Sequence, residues 1–283
     1  MNTTSYEELN SFVTKYQTDS TIASLTPTIC ALTGAAEPVD CGAVELSAVV
    51  DQAVRLTGRE GGVEKALIFC PDAVGEVQRA RFPELLERVK KLAGFQFSCA
   101  AVMPSVTPVC YGSIFSGASP AVHGIQKYEK PVLTVETLFD VLAQAGKNVA
   151  IVAINNCSID CIFRKRSVDY YSLRSDELSF ELTRELIAAN RYDVIISYYT
   201  SYDHLSHRHG QWSSEAVDAL NTSVKYFETL VSDTETHWAG YNRVVTWTPD
   251  HGNHIVDENN SGHGQDIADD MVVNHYYRVK AGV

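Results

Sequence analysis

Histidines and aspartates concentrate in the last third of this 283-residue sequence. Seven of the nine histidines lie between positions 204 and 263. Asp203 and His207 are four residues apart, so a single helical turn places both side chains on one face. Asp250 and His251 are adjacent and precede a glycine. Imidazole and carboxylate groups in such arrangements are typical ligands of a divalent transition metal, and an exposed polar loop is the alternative.

Three further positions carry candidate groups. Asp72 follows an apolar run, and Thr107 stands where a loop becomes a helix. Taken singly, Asp72 is explained better as a helix cap or turn former, and Thr107 as a helix N-cap. A threonine hydroxyl at a helix N-terminus also lies where a phosphate group binds. His263 is flanked by Gly262 and Gly264, which allow the backbone to approach a ligand closely.

The elements that would position these groups alternate between strands and helices from about residue 63. Apolar runs predict strands at 63–69, 95–103, 148–154, 192–199 and 242–249, and helical spacing predicts helices at 83–94, 134–146, 175–190 and 213–231. This alternation predicts an α/β fold with a mainly parallel central sheet flanked by helices on both faces. Functional residues in such folds gather at the carboxyl ends of strands, where the candidate groups lie.

The first 62 residues are less regular than the rest. Helices are predicted at 6–16 and 44–56, with a turn-rich stretch around Gly34 to Gly42 between them. The sequence contains no Pro/Gly/Ser-rich linker that would separate two domains. We therefore expect a single domain, in which residues 1–62 form a helical and loop extension packed on the core and residues 63–283 form the catalytic α/β domain.

Composition excludes several classes of function. The net charge of −12 argues against binding of long nucleic acids, which requires a basic surface. The seven cysteines are scattered and show no disulfide framework, and the polar N-terminal residues do not resemble a signal peptide. Apolar runs such as 149–154 are too short to cross a bilayer. We expect a reduced cytoplasmic protein that does not bind membranes.

Taken together, the motifs resemble the alkaline phosphatase superfamily, and within it the type I phosphodiesterase and nucleotide pyrophosphatase branch. In that branch a nucleophilic threonine begins a stretch that ends T-G-x-x-P-x-x-H-G. Ser116 here replaces the common second threonine. The positions that match the stretch after Thr107 at the same spacing are Gly117, Pro120, His123 and Gly124.

Two later elements also resemble this branch. The D-x-x-x-H-x-x-G element matches Asp203, His207 and Gly210, and the S/T-x-D-H-G element matches TPDHG at 248–252. The late H-G pair matches His263 and the glycine that follows it. The resemblance covers roughly residues 63–275. The combination of these elements is far more specific than any one of them.

The resemblance implies a site for two divalent metal ions. The ligands of one ion would be Asp72, Thr107, Asp250 and His251, and those of the other would be Asp203, His207 and His263. Mixed carboxylate and imidazole ligands suit Zn²⁺ best, with Mn²⁺ as the alternative. The nearby His204 and His209 are assigned no metal, and His254 is the one competitor of His263 for its place.

The implied activity is hydrolysis of a small phosphate ester, in which the Thr107 hydroxyl attacks phosphorus to form a phosphothreonine. A phosphomonoesterase, a phosphomutase of the same superfamily and a non-catalytic metal- or nucleotide-binding protein remain as alternatives. Sulfatase activity is disfavoured because Cys110 is not followed by the sulfatase C/S-x-P-x-R pattern. Lys127 and Lys130 either bind a substrate anion or are solvated surface residues.

Overall fold

A mixed eight-stranded sheet forms the centre of the protein, whose computed structural model describes residues 2–257 and 259–283. The strands are β1 (Ser20–Thr21), β2 (Lys65–Pro71), β3 (Phe95–Ala100), β4 (Val149–Ile154), β5 (Asp169–Leu173), β6 (Val194–Tyr199), β7 (Arg243–Trp247), β8 (His254–Asp257), β9 (Asn260–Gly262) and β10 (Val272–Lys280). Their order in the sheet is β1-β3-β10-β7-β2-β6-β4-β5, while β8 and β9 form a separate antiparallel hairpin.

Thirteen α-helices are found among the described residues. They are α1 (Thr3–Tyr16), α2 (Leu25–Thr33), α3 (Ser47–Thr57), α4 (Glu76–Arg81), α5 (Pro83–Leu92), α6 (Thr107–Ser116), α7 (Pro120–His123), α8 (Leu138–Gln144), α9 (Ser158–Ile162), α10 (Asp176–Ala189), α11 (Ser201–His209), α12 (Ser214–His237) and α13 (Ala268–Met271). A short 3₁₀ turn, Ile22–Ser24, precedes α2.

The sheet is mainly parallel, because only β10 runs antiparallel to its two neighbours β3 and β7. All seven residues of β2 are buried, as expected for a strand covered on both faces. Successive side chains of this strand point to opposite faces. Ile68 packs with α2, α6 and α8, whereas Leu67 and Phe69 pack with α5, α10 and α12. The predicted α/β fold, with helices on both faces of the sheet, is confirmed.

Helices α5 and α6 show how local sequence produces the helical layers on the two faces of the sheet. Helix α5 begins with Pro83 in its first turn and buries Leu86 and Val89 on one face. Helix α6 has no charged residue, and all ten of its residues are buried. It ends at Gly117, whose φ of 70° is accessible to glycine at little cost. Because α6 is packed on every side, its first residue, Thr107, is held rigidly.

Several elements differ from the sequence prediction. Helix α8 begins at Leu138 rather than at 134, because Thr137 and Asp140 form a capping box there. Helix α11 continues for nine residues instead of one turn. Several elements were not predicted, among them strands β5 and β10 and helix α2. In β10 polar and charged residues interrupt the apolar pattern even at buried positions, so no periodicity marks the strand.

The N-terminal residues contribute directly to the sheet and its core. Strand β1 pairs in parallel with β3 at the edge of the sheet, where Ser20 lies opposite Cys99. Leu25 and Ile29 of α2 are fully buried in the same core as β2. Helix α1 covers 3–16 rather than 6–16, since Asn2 accepts a hydrogen bond from the Ser5 amide and caps it.

The cysteines form no disulfide bonds, and no described helix has the character of a membrane span. All seven cysteines are free thiols, and five of them are buried. Across residues 2–257 and 259–283, no helix combines the length and apolar character needed to cross a lipid bilayer.

Candidate metal centre and active site

The candidate residues meet at the carboxyl ends of three adjacent strands. Asp72 directly follows β2, Asp203 lies in the first turn of α11 after β6, and Asp250 follows β7. These strands are neighbours in the order β7-β2-β6, so their carboxyl ends open on one edge of the sheet. The Asp72 amide donates to the Tyr199 carbonyl oxygen at 2.9 Å, which extends the β2–β6 pairing into the site.

The first group of ligands, which we call the inner cluster, consists of Asp72, Asp250 and His251. One ligand atom from each residue lies within 4.8 Å of the other two. The Nε2 atom of His251 is 3.6 Å from Oδ1 of Asp72 and 3.3 Å from Oδ2 of Asp250. All three side chains are buried, with exposed fractions of 0–4%. This is the geometry of a compact site for one cation.

The second group, the outer cluster, consists of Asp203, His207 and His263. Oδ1 of Asp203 is 3.3 Å from Nε2 of His207 and 3.6 Å from Nε2 of His263. Asp203 and His207 lie one helical turn apart on α11, as their spacing predicts. The His207 side chain is 40% exposed, so the outer cluster opens toward solvent while the inner cluster does not.

The two clusters adjoin each other and Thr107. The imidazole rings of His251 and His263 stack with their centroids 4.0 Å apart. Oγ1 of Thr107 lies 3.3 Å from Nε2 of His251. Thr107 lines a cavity of about 420 Å³ together with Asp72 and the three residues of the outer cluster. The structure therefore brings all seven predicted site residues into one place.

The orientation of the imidazoles fits metal binding. In each of the three rings Nδ1 contacts a backbone carbonyl oxygen, which can only accept, so in the neutral ring Nδ1 carries the proton and Nε2 keeps its lone pair. The pairs and their distances are His207 with Ser261 at 2.7 Å, His251 with Gly252 at 2.9 Å and His263 with Ser105 at 3.0 Å. All three Nε2 atoms lie beside the aspartate oxygens, where a cation would bind.

The aspartates also fit a cation. One oxygen of each of Asp72, Asp203 and Asp250 is buried without a hydrogen-bond partner. Burial, the Asp250 charge and then the Asp203 charge raise the pKa of Asp72 well above its usual range. Burial, with a further contribution from the Asp203 charge, raises the pKa of Asp250 to about 8. Divalent cations would satisfy these oxygens and offset their mutual repulsion.

The pKa values of the three histidines shift in different directions. Burial lowers the pKa of His251 to about 4 and that of His263 to about 3, so both rings are neutral at pH 7. The Asp203 carboxylate, whose Oδ1 lies 3.3 Å from Nε2 of His207, raises the pKa of that histidine. A neutral imidazole is the form that binds a metal ion. Each cluster therefore offers at least one neutral imidazole, from His251 and His263, to Zn²⁺ or a similar ion.

Solved structures show which fold carries this site. Phosphonoacetate hydrolase from Sinorhizobium meliloti 1021 aligns with a TM-score of 0.52 and 20% identity, over 72% of this chain and 61% of that one. Murine ectonucleotide pyrophosphatase/phosphodiesterase 5 in complex with AMP aligns with a TM-score of 0.55 and 16% identity, over 69% of this chain and 59% of that one. The chain has the alkaline phosphatase fold. The fold that the resemblance implied is therefore confirmed.

A transferase domain also has a similar fold. The C-terminal periplasmic domain of phosphoethanolamine transferase EptC from Campylobacter jejuni aligns with a TM-score of 0.51 and 14% identity, over 77% of this chain and 80% of that domain. The chain spans about three fifths of the length of the first two structures. No family model and no curated protein matches the sequence.

The remaining histidines of this alkaline phosphatase fold lie outside the two clusters. His254, the competitor of His263, contacts the buried Asp270 through Nδ1 at 2.7 Å and Gln265 through Nε2 at 3.0 Å. His209 is exposed, and His204 lines the cavity without joining a cluster. Asp270 also accepts a hydrogen bond from the backbone amide of Gln265. Through Asp270, His254 therefore helps to hold the loop that carries His263.

Two residues of the site were missed in the sequence. The Tyr198 hydroxyl donates to Oδ2 of Asp72, and Asp176 accepts hydrogen bonds from the amides of Thr200 and Ser201 at the start of α11. The sequence places Asp176 only at the start of the helix predicted at 175–190. Nothing in the sequence marks Tyr198, because its place depends on the register between two strands far apart in the chain.

A glycine allows two loops of the site to meet. A Cβ atom at Gly252 would collide with the carbonyl oxygen of Asp269. The Gly252 amide donates to the Asp270 carbonyl oxygen at 2.9 Å. This close approach fixes the turn after His251, whose Nδ1 donates to the carbonyl of the same glycine.

Proposed function

We propose that the protein is a metal-dependent hydrolase of small phosphate esters, which acts on diesters in the manner of a nucleotide pyrophosphatase/phosphodiesterase through a phosphothreonine intermediate. The observation that carries this proposal is the position of Thr107. Its hydroxyl lies at the N-terminus of a rigid, fully buried helix, 3.3 Å from an inner-cluster ligand and within the cavity that the outer cluster also lines.

Two divalent ions, Zn²⁺ in our proposal, would be held by the seven residues identified in the sequence. The inner cluster with Thr107 would hold one ion, and the outer cluster would hold the other. When bound, the ions neutralise phosphoryl oxygens and favour ionisation of the threonine hydroxyl. Their four positive charges exceed the three negative charges of Asp72, Asp203 and Asp250, so an anionic substrate is attracted even though the chain is acidic overall.

The chain's own residues define the reaction. Oγ1 of Thr107 gives up its proton and forms a bond to phosphorus, while the bond between phosphorus and the leaving oxygen breaks and that oxygen takes up a proton to leave as an alcohol. The oxygen of a water molecule then bonds to phosphorus as the bond from phosphorus to Oγ1 breaks. One proton of that water returns to Oγ1, and a phosphate monoester is released. The first turn of α6 directs its positive end toward the phosphoryl group, and the burial of this helix keeps the hydroxyl in place between the two steps.

Different observations support the binding of a small phosphate or phosphonate and the preference for diesters. The solved structures with this fold include a phosphonoacetate hydrolase with phosphonoacetate bound and a pyrophosphatase/phosphodiesterase with AMP bound, which supports a small phosphate or phosphonate ligand. The preference for diesters rests on the match between residues 107–124 and the T-G-x-x-P-x-x-H-G pattern. Transfer to another acceptor, as in the related transferase domain, is the competing class.

A panel of substrates tests the proposed reaction. Protein loaded with Zn²⁺ is expected to hydrolyse bis-p-nitrophenyl phosphate with a kcat/KM at least about tenfold above that for p-nitrophenyl phosphate. The reverse ratio would assign a phosphomonoesterase, and faster release of phosphate from phosphonoacetate would assign a phosphonate hydrolase. Absence of hydrolysis of all three compounds by protein that contains both metals would contradict the proposal and favour a binding protein.

The structure distinguishes the two lysines that were candidates for binding a substrate anion. Lys127 is 74% exposed and lies 3.3 Å from a carboxylate oxygen of Glu129. Lys130 lines the cavity, and its ammonium donates to the Asn156 carbonyl oxygen at 2.8 Å. That hydrogen bond holds the Lys130 ammonium at the cavity with two N–H groups still available. Lys130 is therefore the better candidate for contact with the substrate.

Lys130→Ala is expected to raise KM for the diester about tenfold with little change in kcat, because a hydrogen bond to a charged group contributes roughly 1.5 kcal/mol. Lys127→Ala removes an equal charge three residues away and is expected to leave KM unchanged. Steady-state kinetics of the two variants measures both effects. Equal increases in KM for the two variants would show that the substrate responds only to the net charge of residues 127–130, and not to Lys130 itself.

A further inference from the structure

The candidate ligands of the inner cluster are each held by a second contact, and one of these contacts comes from a side chain that the proposed reaction does not use. His251 donates from Nδ1 to the Gly252 carbonyl, and Oδ1 of Asp250 accepts from the Ala73 amide at 3.2 Å. For Asp72 the corresponding contact is the hydroxyl of Tyr198, which donates to Oδ2. Tyr198 thus occupies the position of a residue that orients a ligand.

The sheet explains why Tyr198 reaches Asp72. Strand β6 pairs in parallel with β2, and Tyr198 lies opposite Cys70, two residues before Asp72. The Tyr198 side chain is buried, and its ring packs edge-to-face against Tyr111 with the centroids 5.3 Å apart. The ring is therefore supported from one side, and its hydroxyl is directed at the carboxylate.

The hydrogen bond from Tyr198 gives the two carboxylate oxygens of Asp72 different roles. Oδ2 of Asp72 is engaged by the tyrosine, whereas Oδ1 has no hydrogen-bond partner and lies 3.6 Å from Nε2 of His251. Without the hydroxyl, both oxygens would be buried and unsatisfied, and the carboxylate would be free to rotate. A donor fixed on one oxygen leaves the other directed into the inner cluster.

We propose that Tyr198 is a positioning residue, which fixes Asp72 as a ligand through one oxygen only and so sets the metal affinity of the inner cluster. This inference rests on the proposed function, because it requires that the inner cluster bind a metal. Residues that hold metal ligands in place typically change affinity 10- to 100-fold when they are removed. The effect should therefore be confined to one of the two metal equivalents.

The experiment compares Tyr198→Phe with Tyr111→Phe. Both substitutions remove one hydroxyl from the same buried aromatic pair, but the Tyr111 hydroxyl has no hydrogen-bond partner. Metal-free protein is titrated with Zn²⁺ in competition with a chromophoric chelator, and separately with Co²⁺, whose visible absorption reports ligand geometry. Tyr198→Phe is expected to weaken one equivalent about 10- to 100-fold and to change its Co²⁺ spectrum. Tyr111→Phe is expected to leave both equivalents within about threefold of wild type.

The outcomes separate this inference from the proposed function. If the wild-type protein binds no metal, the proposed function fails. If the wild type binds two equivalents and folded Tyr198→Phe binds both equally well with an unchanged Co²⁺ spectrum, only the role of Tyr198 is overturned. Should Tyr198→Phe not fold, p-aminophenylalanine at position 198 keeps a donor in the same place. If the protein with p-aminophenylalanine at position 198 folds but still binds the metal tenfold more weakly, the inference is overturned.

Discussion

Thr107→Ala is expected to reduce turnover of a phosphodiester by at least about a thousandfold while metal binding stays largely intact. The substitution removes the oxygen that attacks phosphorus, and the remaining hydrolysis would depend on direct attack by water. The imidazole ligands of both clusters are oriented by backbone carbonyl oxygens rather than by this hydroxyl. Steady-state kinetics, with metal content measured on the same preparation, tests both halves of the expectation.

Two further measurements make this test specific. Thr107→Ser keeps a hydroxyl in the first turn of α6 and is expected to retain measurable turnover. Acid quench of the wild-type reaction with radiolabelled substrate is expected to trap label on protein, and Thr107→Ala is expected to trap none. If purified Thr107→Ala keeps more than about a tenth of wild-type activity, Thr107 is not the nucleophile.

Removal of the metals is expected to abolish hydrolysis and to lower the melting temperature. Three aspartates face one another in the two clusters, and their unpaired oxygens lose the cations that offset their repulsion. A metal present at a thousand times its dissociation constant stabilises the fold by about 4 kcal/mol, which is roughly 8 °C for a domain of this size. Calorimetry before and after dialysis against a chelator, followed by addition of Zn²⁺, measures the loss and its recovery.

A pair of histidines on α11 provides the matched control. His207→Ala removes an outer-cluster ligand, and we expect the protein to retain one metal equivalent and to lose most of its activity. His209→Ala removes an exposed histidine two residues away and is expected to retain both equivalents and full activity. Similar losses in the two variants would show that the outer cluster does not hold a metal.

Features that depend on local spacing were predictable from the sequence. The α/β alternation predicted the mainly parallel sheet, and the i,i+4 relation of Asp203 and His207 correctly placed their side chains on one face. The order of Asp72, Thr107, Asp250 and His263 along the chain matched the order of the corresponding residues in the alkaline phosphatase superfamily. The structure has the fold of that superfamily. Whether these residues bind metal and catalyse a reaction stays a prediction.

Features that depend on contacts between distant segments were not predictable. Tyr198 meets Asp72 only through the β2–β6 register, and the hydrogen bond from His207 to the Ser261 carbonyl requires that the β8–β9 hairpin lie against α11. Strand β10 was missed because buried polar residues interrupt its apolar pattern, while pairing with two neighbours stabilises it. Tertiary contacts in these cases override what a single segment indicates.

The place of β10 between β3 and β7 has a consequence for synthesis of the protein on the ribosome. Strand β3 cannot join β7 until residues 272–280 have emerged and paired with both of them. Until then the nascent chain exposes two unpaired strand edges, which are templates for pairing with other chains. Expression at low temperature or with a chaperone that shields such edges should therefore raise the soluble yield more than stabilisation of the finished fold does.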